Sequence, residues 1–339
     1  MTEPPRFDRP RDALYLDLPL RHVIESPVLG VPTRFESNSA AALARLEAWF
    51  GSWRALATSP HLIASRGVRV RLVVHEGDEG DRGAPLVWRI PDADRVLVHT
   101  PGSLGIAELS RREAVVYVTP ELLRDPPHRL HAMVHGLTLP LVNTCDRHPV
   151  HAALIAREGT ALLLAAPAGT GKSTLAYAAH RAGLRVLSDD AAYVQMEPEL
   201  QVWGLSGPLH LPPDAAGRFA ELRDRAPTLL ANGDRKLIVD LPGQWPALGP
   251  VPIATRCGAC LLERTGGPGS CQPASPADVQ VFLLEGVGAS RVLHGTALER
   301  AIAGIAAGGG WRLALTADPA DSVPYLERML AELERHGPK

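Results

Sequence analysis

The chain has 339 residues, 45% of them hydrophobic, which is enough apolar material for a substantial core and suggests two domains more readily than one. Its 35 Lys+Arg against 37 Asp+Glu leave a net charge of -2, so the sequence carries no general affinity for nucleic acid or an anionic membrane. No apolar run reaches the roughly 18 residues of a membrane helix, the N-terminus lacks the apolar core of a signal peptide, and the four cysteines then fit a reducing, cytoplasmic setting.

Residues 1–20 are rich in Pro and Arg and are expected to be ordered only by docking. Ser37-Asn-Ser39 offers a helix N-cap, and Leu43, Leu46, Trp49 and Phe50 form a helical stripe stopped by Gly51. Trp49 and Trp53 read as core. The alternation over 68–74 predicts a strand, with others over 86–90, 95–99 and 114–118 and turn-rich links at 76–83 and 91–94. His128, His131 and His135 share one helix face. No acidic or cysteine ligand accompanies them, so they read as a partly buried face rather than a metal site, on a helix ending near Gly136 or Pro140.

The stretch that organises the chain is 166–174, Ala-Pro-Ala-Gly-Thr-Gly-Lys-Ser-Thr. Ala152 to Ile155 and Ala161 to Ala165 are predicted to pair as a hairpin about Glu158-Gly159, and a helix is expected from Leu175 to Ala182. Strand, glycine-bearing loop and helix are the setting of a phosphate-binding P-loop. Gly169 and Gly171 let successive N–H groups converge, and the helix adds the positive end of its dipole. Lys172 supplies charge for β- and γ-phosphates, and the Ser173 hydroxyl is a hard ligand for Mg²⁺. Ala168, Gly169, Thr170, Gly171, Lys172, Ser173 and Thr174 are therefore the candidate nucleotide-binding residues. The position usually held by a first glycine is Ala166.

Gly183 has the place of a helix C-cap, and the short run Arg185-Val-Leu187 is closed by Ser188-Asp189-Asp190. Of two carboxylates so near a P-loop, one can hold Mg²⁺ and the other can take a proton from an attacking hydroxyl. Asp189 is the choice of base and Asp190 of metal ligand, although the sequence lets them exchange roles. Short strands are predicted over 191–196 and 201–205, a helix over 213–222, and a strand over 237–241 opened by a turn at 232–236. Arg235 and Lys236 in that turn read as solvated charges. Cys257 and Cys260 fall in an apolar strand over 253–262, on opposite faces, and read as buried and inert. Helices over 278–285 and 296–307, a strand over 311–316 and a terminal helix capped by Ser322 complete the chain.

His151-Ala-Ala-Leu-Ile, the Gly-Thr-Gly-Lys-Ser-Thr loop and Gly183-x-x-x-Leu187-Ser-Asp-Asp190 together resemble the catalytic domain of the HPr kinase/phosphorylase-like serine kinases. The resemblance covers about residues 148–194. It implies an α/β P-loop kinase domain with a mixed sheet, similar to phosphoenolpyruvate carboxykinase, over 141–339. Residues 1–140 match nothing in the N-terminal domain of the bifunctional enzymes; their own strand and helix patterns read as an α+β domain without a catalytic motif, expected to recognise the partner. The resemblance also implies ATP and Mg²⁺ as cofactors, a serine of a protein or peptide as acceptor, and His151 beside Asp189 in the proton-transfer machinery. A homo-oligomer is compatible with it. Val202-Trp-Gly-Leu-Ser-Gly207 stands where the bifunctional enzymes carry an acid-bearing segment, and it contains no acid. A small-molecule kinase and a nucleotide-sensing module that transfers no phosphate are the alternatives.

Overall fold

The computed structural model describes residues 18–56, 67–76, 84–124, 127–205, 207–230, 233–241, 252–288 and 290–336. The expectations for residues 1–17, for most of the 76–83 link, for the His128 side chain and for Asn232 lie outside them. The described chain is a mixed α/β structure with several mixed sheets. Among the described residues no helix is long and apolar enough to cross a membrane.

Strands β1 (His22–Val28) and β2 (Val31–Ser37) form a hairpin, followed by helix α1 (Ala40–Phe50). Then come β3 (Val68–Val74), β4 (Val87–Asp92), β5 (Arg95–Thr100), β6 (Ser103–Glu108) and β7 (Glu113–Val118). The seven strands join in the order β1-β2-β3-β7-β6-β5-β4, parallel only across β2, β3 and β7. Helices α2 (Pro120–Arg124) and α3 (Pro127–Asn143) follow. The Ser39 side chain accepts the Ala42 N–H to cap α1, as its sequence suggests. Phe35, Leu46, Phe50, Val116, Met133 and Leu137 lie in one core between this sheet and the helices. Trp53 belongs to the same core, and Trp49 packs against its edge.

Strands β1, β2 and β6 were not expected from the sequence. In β6 the reason is Gly105, which interrupts the apolar pattern because α3 presses on it. A Cβ there would lie 2.4 Å from Leu137 Cδ1. The expected end of α3 near Gly136 or Pro140 is also corrected: the helix runs to Asn143 with Pro140 inside it. Pro140 forfeits one helical hydrogen bond, but Leu137, Leu141 and Val142 are fully buried, and their packing outweighs that loss. Residue 140 thus lies in the last turn of α3.

The remaining strands and helices begin with β8 (His148–Val150), β9 (Ala153–Arg157), β10 (Thr160–Ala165), α4 (Lys172–Arg181) and β11 (Arg185–Ser188). Next are β12 (Ala192–Gln195), β13 (Gln201–Gly204), β14 (Leu209–Leu211), α5 (Ala215–Arg218), β15 (Thr228–Leu229), β16 (Arg235–Val239) and β17 (Ile253–Ala254). Last are β18 (Arg256–Glu263), β19 (Ser270–Ala274), α6 (Pro276–Glu285), α7 (Ser290–Ala306), β20 (Gly310–Ala314) and α8 (Val323–His336). A six-stranded sheet runs β11-β9-β10-β18-β20-β19, with β10, β18 and β20 parallel. Every residue of β10 is buried. Leu162 and Leu164 pack with α4 and α8, while Ala161, Leu163 and Ala165 pack with α6 and α7. Burial on both faces explains the unbroken apolar run.

The helix expected over 213–222 is broken. Phe219 is extended, separating α5 from a 3₁₀ turn over Ala220–Leu222, and its buried ring meets Tyr177 edge-on at 4.7 Å. Cys257 and Cys260 do face opposite cores of the β18 strand, and burial pushes both thiols up, Cys257 to about 12. Arg147 joins the turn between β1 and β2 to the separate four-stranded sheet β17-β13-β12-β8. Its Nε donates to Leu29 O at 2.8 Å, and its guanidinium lies 4.4 Å from the Trp203 ring centre. Burial pulls its pKa down to about 10.

His131 and His135 stack between α1 and α3, against Trp49 and Phe50. Burial pushes His131 down to about 4 and His135 to about 3. An imidazole kept neutral when folded, yet free to protonate at its ordinary value when unfolded, contributes stability that is complete above about pH 6.5 and lost as the pH falls toward the folded value. Urea unfolding is expected to lose about 2 kcal/mol per such imidazole between pH 7 and pH 5. His135→Gln should flatten that fall, and an unchanged slope in the variant would show that His135 is not held neutral.

Candidate active site

Strand β10 delivers the chain to the edge of the six-stranded sheet where its three parallel strands end. There Thr170 N–H turns back to Pro167 O at 3.3 Å, and Gly169 and Gly171 adopt φ of 80° and 117°. Both angles favour glycine. Gly171 is the N-cap of α4 and has no side chain to satisfy the first-turn N–H groups. Those donors and the helix dipole make the loop receptive to an anion. Thr174 is buried and Ser173 half-buried at the start of the helix. At the far end Gly183, at φ 95°, closes α4, with Gly183 N–H to His180 O and Leu184 N–H to Ala179 O.

Lys172 points out of the first turn of α4 with its side chain only 9% exposed. Its Nζ lies 2.9 Å from His151 Nε2 and 3.1 Å from Asp190 Oδ1. An ammonium only donates, so His151 Nε2 accepts and the ring proton sits on Nδ1, 3.4 Å from Asp190 Oδ1. Three segments meet here: the entry to β9, the start of α4 and the turn after β11.

The neighbouring carboxylates differ. Asp190 is 68% exposed, whereas the Asp189 side chain is 8% exposed. Asp189 Oδ2 accepts the His210 N–H at 2.7 Å, and its Oδ1 is buried without a hydrogen-bond partner. Ser188 Oγ donates to Ala191 O and tightens the turn that carries the pair. Gly204 lets β13 pass beneath, since a Cβ there would lie 2.2 Å from Leu187 O. The expectation that His151 flanks Asp189 is therefore corrected: His151 flanks Asp190, because the two aspartates leave the strand end in different directions.

Beside the loop opens a cleft of about 370 Å³ lined by His151, Ala166, Ala168, Phe282, Leu283 and Gly286. On the other side, Arg264 follows β18, and its Nε donates to Thr170 O at 2.6 Å. His210, Arg264 and the α6 wall were not singled out from the sequence. A basic residue ending the strand beside the P-loop strand was the available signal for Arg264. Arg235 and Lys236 lie at the start of β16 and make no ion pair with the described loop residues. Among the described residues, no group of three or more His, Cys, Asp and Glu could hold a metal ion.

No family model matches the chain, and no curated protein matches it. Among solved structures it is similar to the Hpr(Ser) kinase/phosphatase from Coxiella burnetii, with a TM-score of 0.30 and 14% identity over 56% of this chain and 99% of that one. At that level of similarity, function does not transfer.

The two loop glycines differ both in backbone strain, with φ of 117° at Gly171 against 80° at Gly169, and in what a side chain would meet. At Gly171 a Cβ would sit 2.9 Å from Arg264 Nη2, whereas at Gly169 it would meet nothing within 4 Å. Gly171→Ala is expected to lower unfolding stability by about 2 kcal/mol and to abolish protection by pyrophosphate. Gly169→Ala should cost about 1 kcal/mol or a little more. Thermal melts with and without pyrophosphate test this, and equal behaviour of the two variants would refute the greater demand for glycine at position 171.

Proposed function

We propose that the chain is an ATP-dependent kinase that transfers the γ-phosphoryl group to a hydroxyl, with a serine of a protein or peptide as the acceptor class. The observation that carries the reading is the junction of Lys172 with Asp190 and His151 at the start of α4. Loop N–H groups and the Lys172 ammonium are suited to the phosphates of ATP, and a proton acceptor stands within reach of the same ammonium. A module that only senses nucleotide needs the loop and Lys172. It does not need a carboxylate and an imidazole converging on them. The serine acceptor rests on the family resemblance of residues 148–194, and the cleft beside His151 offers it an entry.

The donor set fits Mg²⁺. Asp189 Oδ1 is a buried carboxylate oxygen with no protein partner, and Ser173 brings a hydroxyl from the first turn of α4. Two hard oxygens are what Mg²⁺ takes from a protein when phosphates and water complete its shell. Asp189 and Ser173 would hold it, and its chemistry there would be to neutralise phosphate charge. Asp190 is exposed and bonded to no backbone N–H, so it suits the proton acceptor, with the His151 Nδ1–H orienting it. This reverses the roles favoured on sequence alone.

Lys172→Ala is expected to abolish measurable ATP binding. Asp190→Asn should lower single-turnover transfer by about 10²–10⁴-fold and leave Mg·ATP affinity within a few-fold. Asp189→Asn should instead raise the Mg²⁺ concentration needed for half-maximal rate. The measurements are nucleotide titration and ADP formation with water or serine peptides as acceptor. Loss of Mg·ATP binding in the Asp190 variant alone would restore the opposite roles, and wild-type ATP binding by Lys172→Ala would end the kinase reading.

A further inference from the structure

The sheet order sets a direction along the loop. At the edge carrying the site lie, in turn, Asp189 and Asp190 after β11, His151 before the antiparallel β9, the loop after β10, and Arg264 after β18. From β11 to β18 is three strand spacings, about 14 Å. Carboxylates and imidazole occupy one side of the loop and Arg264 the other.

Arg264 is exposed and tethered by one bond, its Nε–H to Thr170 O at 2.6 Å, with Nη2 close over Gly171. The preceding Glu263 is taken by Arg312. Among the described residues Arg264 has no carboxylate partner. A guanidinium carries five N–H donors, so four are left, in a planar fork that matches phosphate oxygens.

We infer that Arg264 is a nucleotide-binding residue and that it takes the α-phosphate, the end of the triphosphate away from the transferred group. The inference rests on the kinase reading. Lys172, Asp190 and His151 fix the terminal phosphate on the β9 and β11 side. A linear triphosphate on the loop then extends toward β18, where the unpaired guanidinium is held. The bond to Thr170 O keeps the fork against the loop, so little side-chain freedom is lost when a phosphate arrives.

The test is a titration of wild type, Arg264→Ala and Arg264→Lys with ATP, ADP, inorganic triphosphate and pyrophosphate, each with Mg²⁺. In Arg264→Ala the affinities for ATP, ADP and triphosphate are expected to fall together by about 10- to 100-fold, the range for a hydrogen bond to a charged group. Pyrophosphate, which fills only the two positions nearest Lys172, should change less than about 3-fold, and Arg264→Lys should recover part of the loss. A larger loss for ATP than for ADP would place Arg264 on the terminal phosphate and overturn the inference. An equal loss for pyrophosphate would make Arg264 a brace of the loop, and unchanged triphosphate would put the contact on the nucleoside. Either result overturns the assignment while leaving the kinase reading intact. Failure of the wild-type protein to bind any of the four would overturn both.

Discussion

The structure of the site depends on one ammonium group that is almost out of water. Lys172 sits at the start of a helix, where the dipole already disfavours a positive charge, and its side chain is 9% exposed. An unpaired buried charge is costly, so partners must be brought to it. Asp190 and His151 are those partners, and they come from the far end of β11 and the near end of β9. The sheet, in which β11, β9 and β10 are consecutive, delivers all three to one edge. Burial of β10 on both faces and the absent side chain of Gly204 hold that arrangement in place.

Two adjacent aspartates in one turn are given different surroundings. A backbone N–H fixes one oxygen of Asp189 while the other is buried and free, and Asp190 faces solvent beside a histidine. On the proposed reading, environment rather than residue type separates the aspartate that would hold a cation from the one that would accept a proton. The same edge puts Arg264 on the other side of the loop from the carboxylates, so strand order gives the site two unlike sides.

What was legible in the sequence was local. The loop, the Glu158-Gly159 hairpin turn, the Ser39 cap and the Gly183 stop each depend on a few neighbouring residues with special backbone needs, and the structure places them where the sequence does. What was not legible was decided by distant partners. Gly105 breaks a strand pattern because Leu137 of α3 lies on it, and α3 runs through Pro140 because its other residues are buried. Phe219 interrupts a helical segment to reach Tyr177. At the site, the sequence supplies Lys172, His151 and both aspartates, yet nothing in it says which carboxylate faces the imidazole. His210 and Arg264 enter through a strand pairing and a strand neighbour respectively; His210 carries no sequence signal of its own, and the signal for Arg264, a basic residue at a strand end, has meaning only once that strand is known to lie beside β10.

The central claim is that the junction of Lys172, His151 and Asp190 receives the terminal phosphate of ATP. The most direct measurement is the NMR signal of the His151 imidazole, in protein labelled at histidine and assigned with His151→Gln, during titration with Mg·ATP and Mg·ADP. The expected result is a displaced His151 resonance with saturating Mg·ATP and a markedly smaller displacement with Mg·ADP, while His135, packed in the first sheet's core, stays still. A His151 signal unmoved by saturating Mg·ATP, or moved equally by both nucleotides, would contradict the claim.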